Sequence, residues 1–139
     1  GNIVIAKAKD VLVFAGVLPN PAKQFLVKRV IGVAGDKIIC CDKDGGLTIN
    51  GEKTNEPYIF AGNKASELDF NVTVPEGKIW VMGDHRGASA DSRYHQDRPS
   101  GGFVDESFVV GRAVVISWPI ENWIWLDNYP DTFSVIPKP

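Results

Sequence analysis

Two side chains in this sequence combine a type and a setting that admit catalysis. Lys28 lies within the apolar run Phe25-Leu26-Val27-Lys28-Arg29-Val30-Ile31, and Ser89 lies in the polar run from Gly83 to Arg93. On a strand, alternation puts Lys28 on the face of Leu26 and Val30, with Arg29 on the face of Val27 and Ile31. Apolar neighbours desolvate an amine and disfavour its charged form. An ordinary lysine pKa of about 10.4 must fall by roughly 2–3 units for the amine to act as a base near neutral pH. A hydroxyl such as that of Ser89 could hold the neutral amine and aim its lone pair at a reacting proton. A deprotonated lysine with a hydroxyl beside it is serine–lysine hydrolase chemistry. Taken on its strand alone, Lys28 could instead snorkel to solvent from a sheet edge. The polar run alone could be a solvated turn. Its charges are Asp84, Arg86, Asp91 and Arg93, and Asp91 and Arg93 could brace the loop by pairing with each other, or with Arg29 or Asp84.

These residues need a sheet to position them. Short Val- and Ile-rich runs separated by Gly, Pro, Asn and Asp clusters predict strands at Ile3–Ile5, Val11–Phe14, Phe25–Val33, Lys37–Cys41, Leu47–Ile49, Phe70–Val74, Lys78–Met82 and Phe108–Trp118, with another at Thr132–Ile136. Asp44-Gly45-Gly46 and Asn50-Gly51 read as hairpin turns. Ala65–Phe70 and Asp105–Val109 have room for one helical turn each, and no window keeps a helical period over three turns. The fold class expected is mainly β, in one domain over 1–139. Residues 42–74, polar and hairpin-rich, would form a subregion inserted between halves of a core sheet.

The 139 residues suit one domain, and 44% hydrophobic with 23% charged residues is ordinary for a globular chain. A net charge of −2 without a basic run argues against nucleic acid as a partner. No apolar stretch approaches the length of a membrane span. Cys40 and Cys41 are adjacent, and ordinary disulfides hold their α-carbons farther apart than neighbours allow, so both are expected as free thiols. With no Cys-x-x-Cys pair or His cluster, neither a metal site nor a cofactor is expected. His85 and His95 both read as surface or hydrogen-bonded histidines in a polar loop.

The segments that hold Lys28 and Ser89 resemble two boxes of the bacterial type I signal peptidase family. Lys28 to Asp36 is similar to Lys-Arg-x-x-Gly-x-Pro-Gly-Asp, with Ala34 in place of the proline. Gly83 to Arg93 is similar to Gly-Asp-Asn-Arg-x-Asn-Ser-x-Asp-Ser-Arg, with His85 and Ala88 in place of the asparagines. Lys9 to Phe14 resembles a third box, Gly-Asp-x-Val-Val-Phe. Thr48-Ile49-Asn50-Gly51, Asn55-Glu56-Pro57-Tyr58 and Gly111–Trp118 also have counterparts in that family. The boxes occur in the family's order, and the resemblance covers nearly the whole chain.

The resemblance implies a coiled antiparallel β domain of the signal-peptidase type. It implies a serine endopeptidase that removes signal peptides from exported preproteins through an acyl-enzyme, without a cofactor. Lys28 would be the general base and Ser89 its hydrogen-bond partner, with Arg29, Asp84, Asp91 and Arg93 supporting the site. Leu26 and Val27 would border the extended substrate, and Val4 and Val13 would line shallow pockets that select Ala-x-Ala. The family's nucleophile sits in a Ser-Met-x-Pro-Thr motif just before a strand that Gly1 to Lys7 resembles, and no serine of this chain has that setting. The expectation is a nucleophile and a membrane anchor ahead of Gly1, a catalytic domain outside the cytoplasm, and a soluble chain that is inert as it stands. The run Trp118 to Leu126 could place Trp123 and Trp125 at a membrane surface or pack its rings on the sheet. Two other readings share part of this pattern. One is a self-cleaving repressor-type Ser/Lys protease; the other is a catalytically inactive signal-peptidase-like accessory protein of surface-structure assembly.

Overall fold

The computed structural model describes residues 3–7, 25–116 and 120–139. Within them the regular structure is mainly antiparallel strand, with short 3-10 turns and one short α-helix between strands. Five strands make the first sheet: β1 (Ile3–Lys7), β2 (Phe25–Val33), β7 (Lys78–Met82), β8 (Val104–Asp105) and β9 (Val109–Arg112), in the order β8-β7-β2-β1-β9. The second sheet holds β3 (Lys37–Cys40), β4 (Leu47–Ile49), β5 (Glu52–Lys53) and β6 (Phe70–Thr73), in the order β5-β4-β3-β6. A small ribbon pairs β10 (Val115–Ile116) with β11 (Ile124–Trp125). The mainly β antiparallel class expected from the sequence is the class observed.

Both hairpin signals act as turns. Asn50 and Gly51 take φ of 52° and 86°, the left-handed pair that a tight β4–β5 hairpin needs. Gly45 takes φ of 81° between β3 and β4. The second sheet begins at Lys37, so β3 lies with the hairpins rather than with the first sheet.

One apolar core joins the two sheets. Trp80 and Met82 from β7 and Ile31 from β2 pack with Ile38, Leu47, Ile49 and Phe70 of the second sheet. Ile79 and Val81 point the other way, into a smaller cluster with Val104, so β7 is buried on both faces. Each fully buried large side chain stabilises by about 1.5–3 kcal/mol, which makes β7 the mechanical centre of the fold. That strand leads directly into the Gly83–Arg93 loop.

Several expectations need correction. Thr132–Ile136 is not a strand: Pro130–Ser134 forms a short helix, α1, with Pro130 in its first turn, where a missing N–H costs nothing. The predicted strand Phe108–Trp118 is broken into β9 and β10. Ala65–Phe70 forms no helix; the Ser66 hydroxyl accepts from the Leu68 N–H, a local bond that competes with a helical turn. Cys40 and Cys41 are not free thiols. Their sulfurs are bonded to one another across a cis peptide with the α-carbons 2.9 Å apart, so α-carbon spacing, the ground for expecting free thiols, does not decide the pairing of neighbours. Of the two readings of His95, surface or hydrogen-bonded, its burial removes the first. The predicted strand Val11–Phe14 and Val13 within it lie outside the described residues, as does Trp118.

Candidate active site

Strand β2 is internal, flanked by β1 and β7, so Lys28 does not snorkel from an edge. Its backbone is paired with Val4 of β1. On the other side Arg29 pairs with Met82, and the next rung brings Gly83 opposite Lys28. The loop that follows Gly83 returns Ser89 to the same spot. Lys28 Nζ donates to Ser89 Oγ at 2.6 Å, joining residues 61 apart in the chain.

Gly83 makes that approach feasible. A side chain there would collide with the Ser89 side chain, and its Cβ would sit 3.6 Å from Lys28 Nζ. Ser89 itself is buried. Burial pushes the Lys28 amine below its ordinary pKa; the Asp91 carboxylate opposes that shift and the Arg93 guanidinium adds to it. The sign is the one a lysine base requires, and its cause is the desolvation inferred from the strand pattern.

Three arginine–carboxylate pairs brace the site. Arg29, 2% exposed, donates through Nε and Nη2 to the two oxygens of Asp84 at 2.8 and 2.7 Å. Arg93 holds Asp91 in the same forked manner, at 2.8 and 2.7 Å, and both side chains are wholly buried. Asp91 also accepts from the Gly83 N–H at 2.9 Å, so this pair fixes the backbone under the dyad. Burial pushes the Asp91 carboxyl up, but Arg93, the Gly83 N–H and the Ser89 hydroxyl overcome it and leave the carboxyl below its ordinary value. The sequence left the partners of these four charges open; the structure selects Arg29–Asp84 and Asp91–Arg93.

The third pair, Arg86 with Glu56, was not singled out from the sequence. Arg86 is buried and donates to Glu56 at 2.6 and 3.3 Å, to the Gly83 carbonyl at 3.0 Å and to the Ala65 carbonyl at 2.7 Å. Tyr58 donates its hydroxyl to Glu56, and its ring lies 4.1 Å beneath the Arg29 guanidinium. Tyr58 thus touches two braces at once, and burial raises its phenol pKa far above the ordinary value. The signal available was Asn55-Glu56-Pro57-Tyr58, which stood out in the sequence without a role.

Of the residues expected along a substrate, Leu26 is half-buried and Val27 is 55% exposed. Val4 lies on β1 beside Lys28 by backbone register. A cavity of about 760 Å³ lies elsewhere, between the end of β2 and the C-terminal tail, lined by Val33, Asp36, Phe133 and Ile136 among others. Neither Lys28 nor Ser89 lines it. Trp123 and Trp125 are 58% and 72% exposed, so more than half of each residue's surface is open. Among the described residues no helix is long and apolar enough to cross a membrane.

Comparison with known proteins agrees with this architecture. The model of the family described as "Signal peptidase, peptidase S26" matches residues 1–118. A probable signal peptidase I of Mycobacterium leprae is 40% identical over 88% of this chain and 49% of its own length. A signal peptidase I of Bacillus licheniformis is 41% identical over 84% of this chain and 61% of its own length. The chain therefore spans about half the length of the mycobacterial relative. The crystal structure of a signal peptidase I from Enterococcus faecalis V583 superposes with a TM-score of 0.55 at 27% identity, covering 81% of this chain and 95% of that one. With the family model spanning most of its length and relatives near 40% identity, the chain belongs to the signal peptidase family, peptidase S26.

Proposed function

We propose that this chain carries the general-base half of a serine–lysine endopeptidase site that removes signal peptides from exported preproteins. The observation that carries the reading is the buried contact of Lys28 Nζ with Ser89 Oγ at 2.6 Å, on an amine whose pKa is lowered by desolvation. In this reading Lys28 is the base, and Ser89 orients its lone pair. Arg29, Asp84, Asp91 and Arg93 hold the two strands and the loop in register. Leu26 and Val27 border an extended peptide, with Val4 and Val13 as the floor of pockets for small side chains. The nucleophile in this reading is a serine hydroxyl brought within reach of Lys28 Nζ.

The reaction then divides into acylation and deacylation, and in each Lys28 takes a proton and gives it back, first to the leaving amine and finally to the serine oxygen. Lys28 takes the serine proton as the hydroxyl oxygen attacks the scissile carbonyl, and donors aimed at the resulting oxyanion stabilise it. The ammonium returns the proton to the leaving amine, which departs and leaves an acyl-enzyme. Water, deprotonated by the same amine, then hydrolyses the ester. A pKa near working pH suits an amine that must both accept and release a proton.

The test is cleavage of an Ala-x-Ala peptide by the chain extended through its upstream segment. The extended wild type is expected to cut, and Lys28→Ala is expected to lose that activity by several orders of magnitude. Equal rates would refute the assignment of the base. No cleavage by the extended wild type would favour the inactive accessory protein. Contact with a membrane surface is a second part of the proposal, supported by the exposed Trp123 and Trp125. Replacing both by Ala should lower binding to liposomes, and unchanged binding would exclude that role for them.

A further inference from the structure

The end of the β3–β6 ladder brings together three potential metal ligands that the peptidase chemistry does not use. Pairing sets Cys40 against Phe70 at the end of the ladder, and just beyond it Cys41 and Asp69, the residues next along the two chains, come close to one another. The three residues descend from core to solvent: Cys40 is buried, Cys41 is half-buried and Asp69 is exposed. The two sulfurs and a carboxylate oxygen of Asp69 all lie within 4.8 Å of one another. Around a tetrahedral zinc ion such donors stand roughly 3.5–3.8 Å apart, so the two sulfurs, bonded to one another here, must first be freed and move apart, with the half-buried Cys41 and exposed Asp69 side chains turning to close the set. Asp42, the next residue in the chain, is already committed. It accepts from the Asp44 and Gly46 N–H groups and pairs with Lys53, so it does not compete as a ligand.

In the disulfide state neither sulfur can act as a thiolate ligand. We propose that reduction of the Cys40–Cys41 bond opens a site for a single thiophilic divalent cation of the zinc group, held by both thiolates and the Asp69 carboxylate. A dithiol reductant supplies the electrons. Its two thiols become a disulfide, the bond between Cys40 Sγ and Cys41 Sγ breaks, and two electrons and two protons pass to the cysteines. The cation then displaces those two protons and takes two thiolates and one carboxylate oxygen, leaving a fourth position for water. Cys40 anchors the site in the core, while Cys41 and Asp69 form its entrance. The argument from sequence against a metal rested on the absence of Cys-x-x-Cys spacing. It could not count a ligand delivered across the sheet from 28 residues further along the chain.

The test uses the full chain, reduced with a dithiol, freed of reductant without air and titrated with Cd²⁺ alone. The thiolate-to-cadmium charge-transfer band is the readout, and far-ultraviolet circular dichroism checks that the reduced chain remains folded. The reduced wild type is expected to saturate at a single equivalent of Cd²⁺, the oxidised chain to show no band, and Cys41→Ser to lose the saturating site. Asp69→Asn alters only an exposed side chain and should leave the fold intact. It should weaken binding by more than about tenfold, the lower bound seen when even an outer-sphere partner of a metal is removed. No band from the reduced wild type, or Asp69→Asn binding as tightly as wild type, would overturn the proposal.

Discussion

Asp91→Asn tests how the loop is held beneath Lys28. The carboxylate uses both oxygens: Oδ1 accepts from Arg93 Nε and the Arg93 N–H, and Oδ2 accepts from Arg93 Nη2 and the Gly83 N–H. Asparagine has the same shape, but one of those positions becomes an NH₂ group. Whichever way the amide turns, donor meets donor, and a guanidinium without exposure to water is left without its counter-charge. Breaking a buried pair from one side costs about 3–5 kcal/mol. For a domain of 139 residues, with an unfolding entropy of about 2.1 cal/mol/K per residue, that is a fall in Tm of about 10–17 °C. Urea unfolding at neutral pH, followed by tryptophan fluorescence, should show the loss in midpoint without a change in slope. The pH dependence has a definite sign. Because the folded Asp91 carboxyl lies below its ordinary value, its contribution is present above the unfolded pKa of about 3.9 and fades as pH falls through the lower folded value. The gap between wild type and Asp91→Asn should therefore narrow only below about pH 4. Adding Arg93→Met should restore part of the loss, since the amide can then turn its oxygen to Gly83. A cost below about 1 kcal/mol, or strict additivity of the two changes, would refute the claim that this pair is a coupled buried unit.

Two further outcomes follow from the dyad. Lys28→Met should raise stability at neutral pH, because the folded pKa of Lys28 is lowered and holding the charged amine in the site opposes folding there. The advantage should shrink as pH rises towards the unfolded lysine value of about 10.4, and unfolding curves that show no such convergence would contradict it. Gly83→Ala puts a methyl group against the Ser89 side chain. It should cost about 1–3 kcal/mol by overpacking and separate Ser89 from Lys28, read as an upward shift of the Lys28 pKa towards that of a solvated amine; a wild-type value would show that the close approach is unimportant.

The sequence is most legible where structure is local. Short Val- and Ile-rich runs anticipate β2, β4, β6 and β7, β7 as the continuous apolar run of a strand buried on both faces, and Asn50-Gly51 anticipates its hairpin because both residues must take positive φ. Thr132–Ile136 failed for the same local reason in reverse, since five β-prone residues after Pro130 look alike as a strand or as a first helical turn. Partner choice is another matter. Asp91 had two arginines within plausible reach, and only the return of the loop to β7 decides that Arg93 takes it while Arg29 takes Asp84.

The sequence by itself raised Lys28 as a candidate base, offered Ser89 as a hydroxyl able to serve it, and carried the resemblance to the signal peptidases. Tertiary structure decided that β2 is internal, so Lys28 is held in the sheet, and that Ser89 returns across 61 residues to meet it. It also decided that Glu56 reaches Arg86, that Tyr58 lies under Arg29, and that Asp69 comes close to Cys40 and Cys41. The physical reason is common to all of these. Burial and pairing depend on which strands share a ladder, and long-range register is set by the packing of the whole core rather than by any window of the chain.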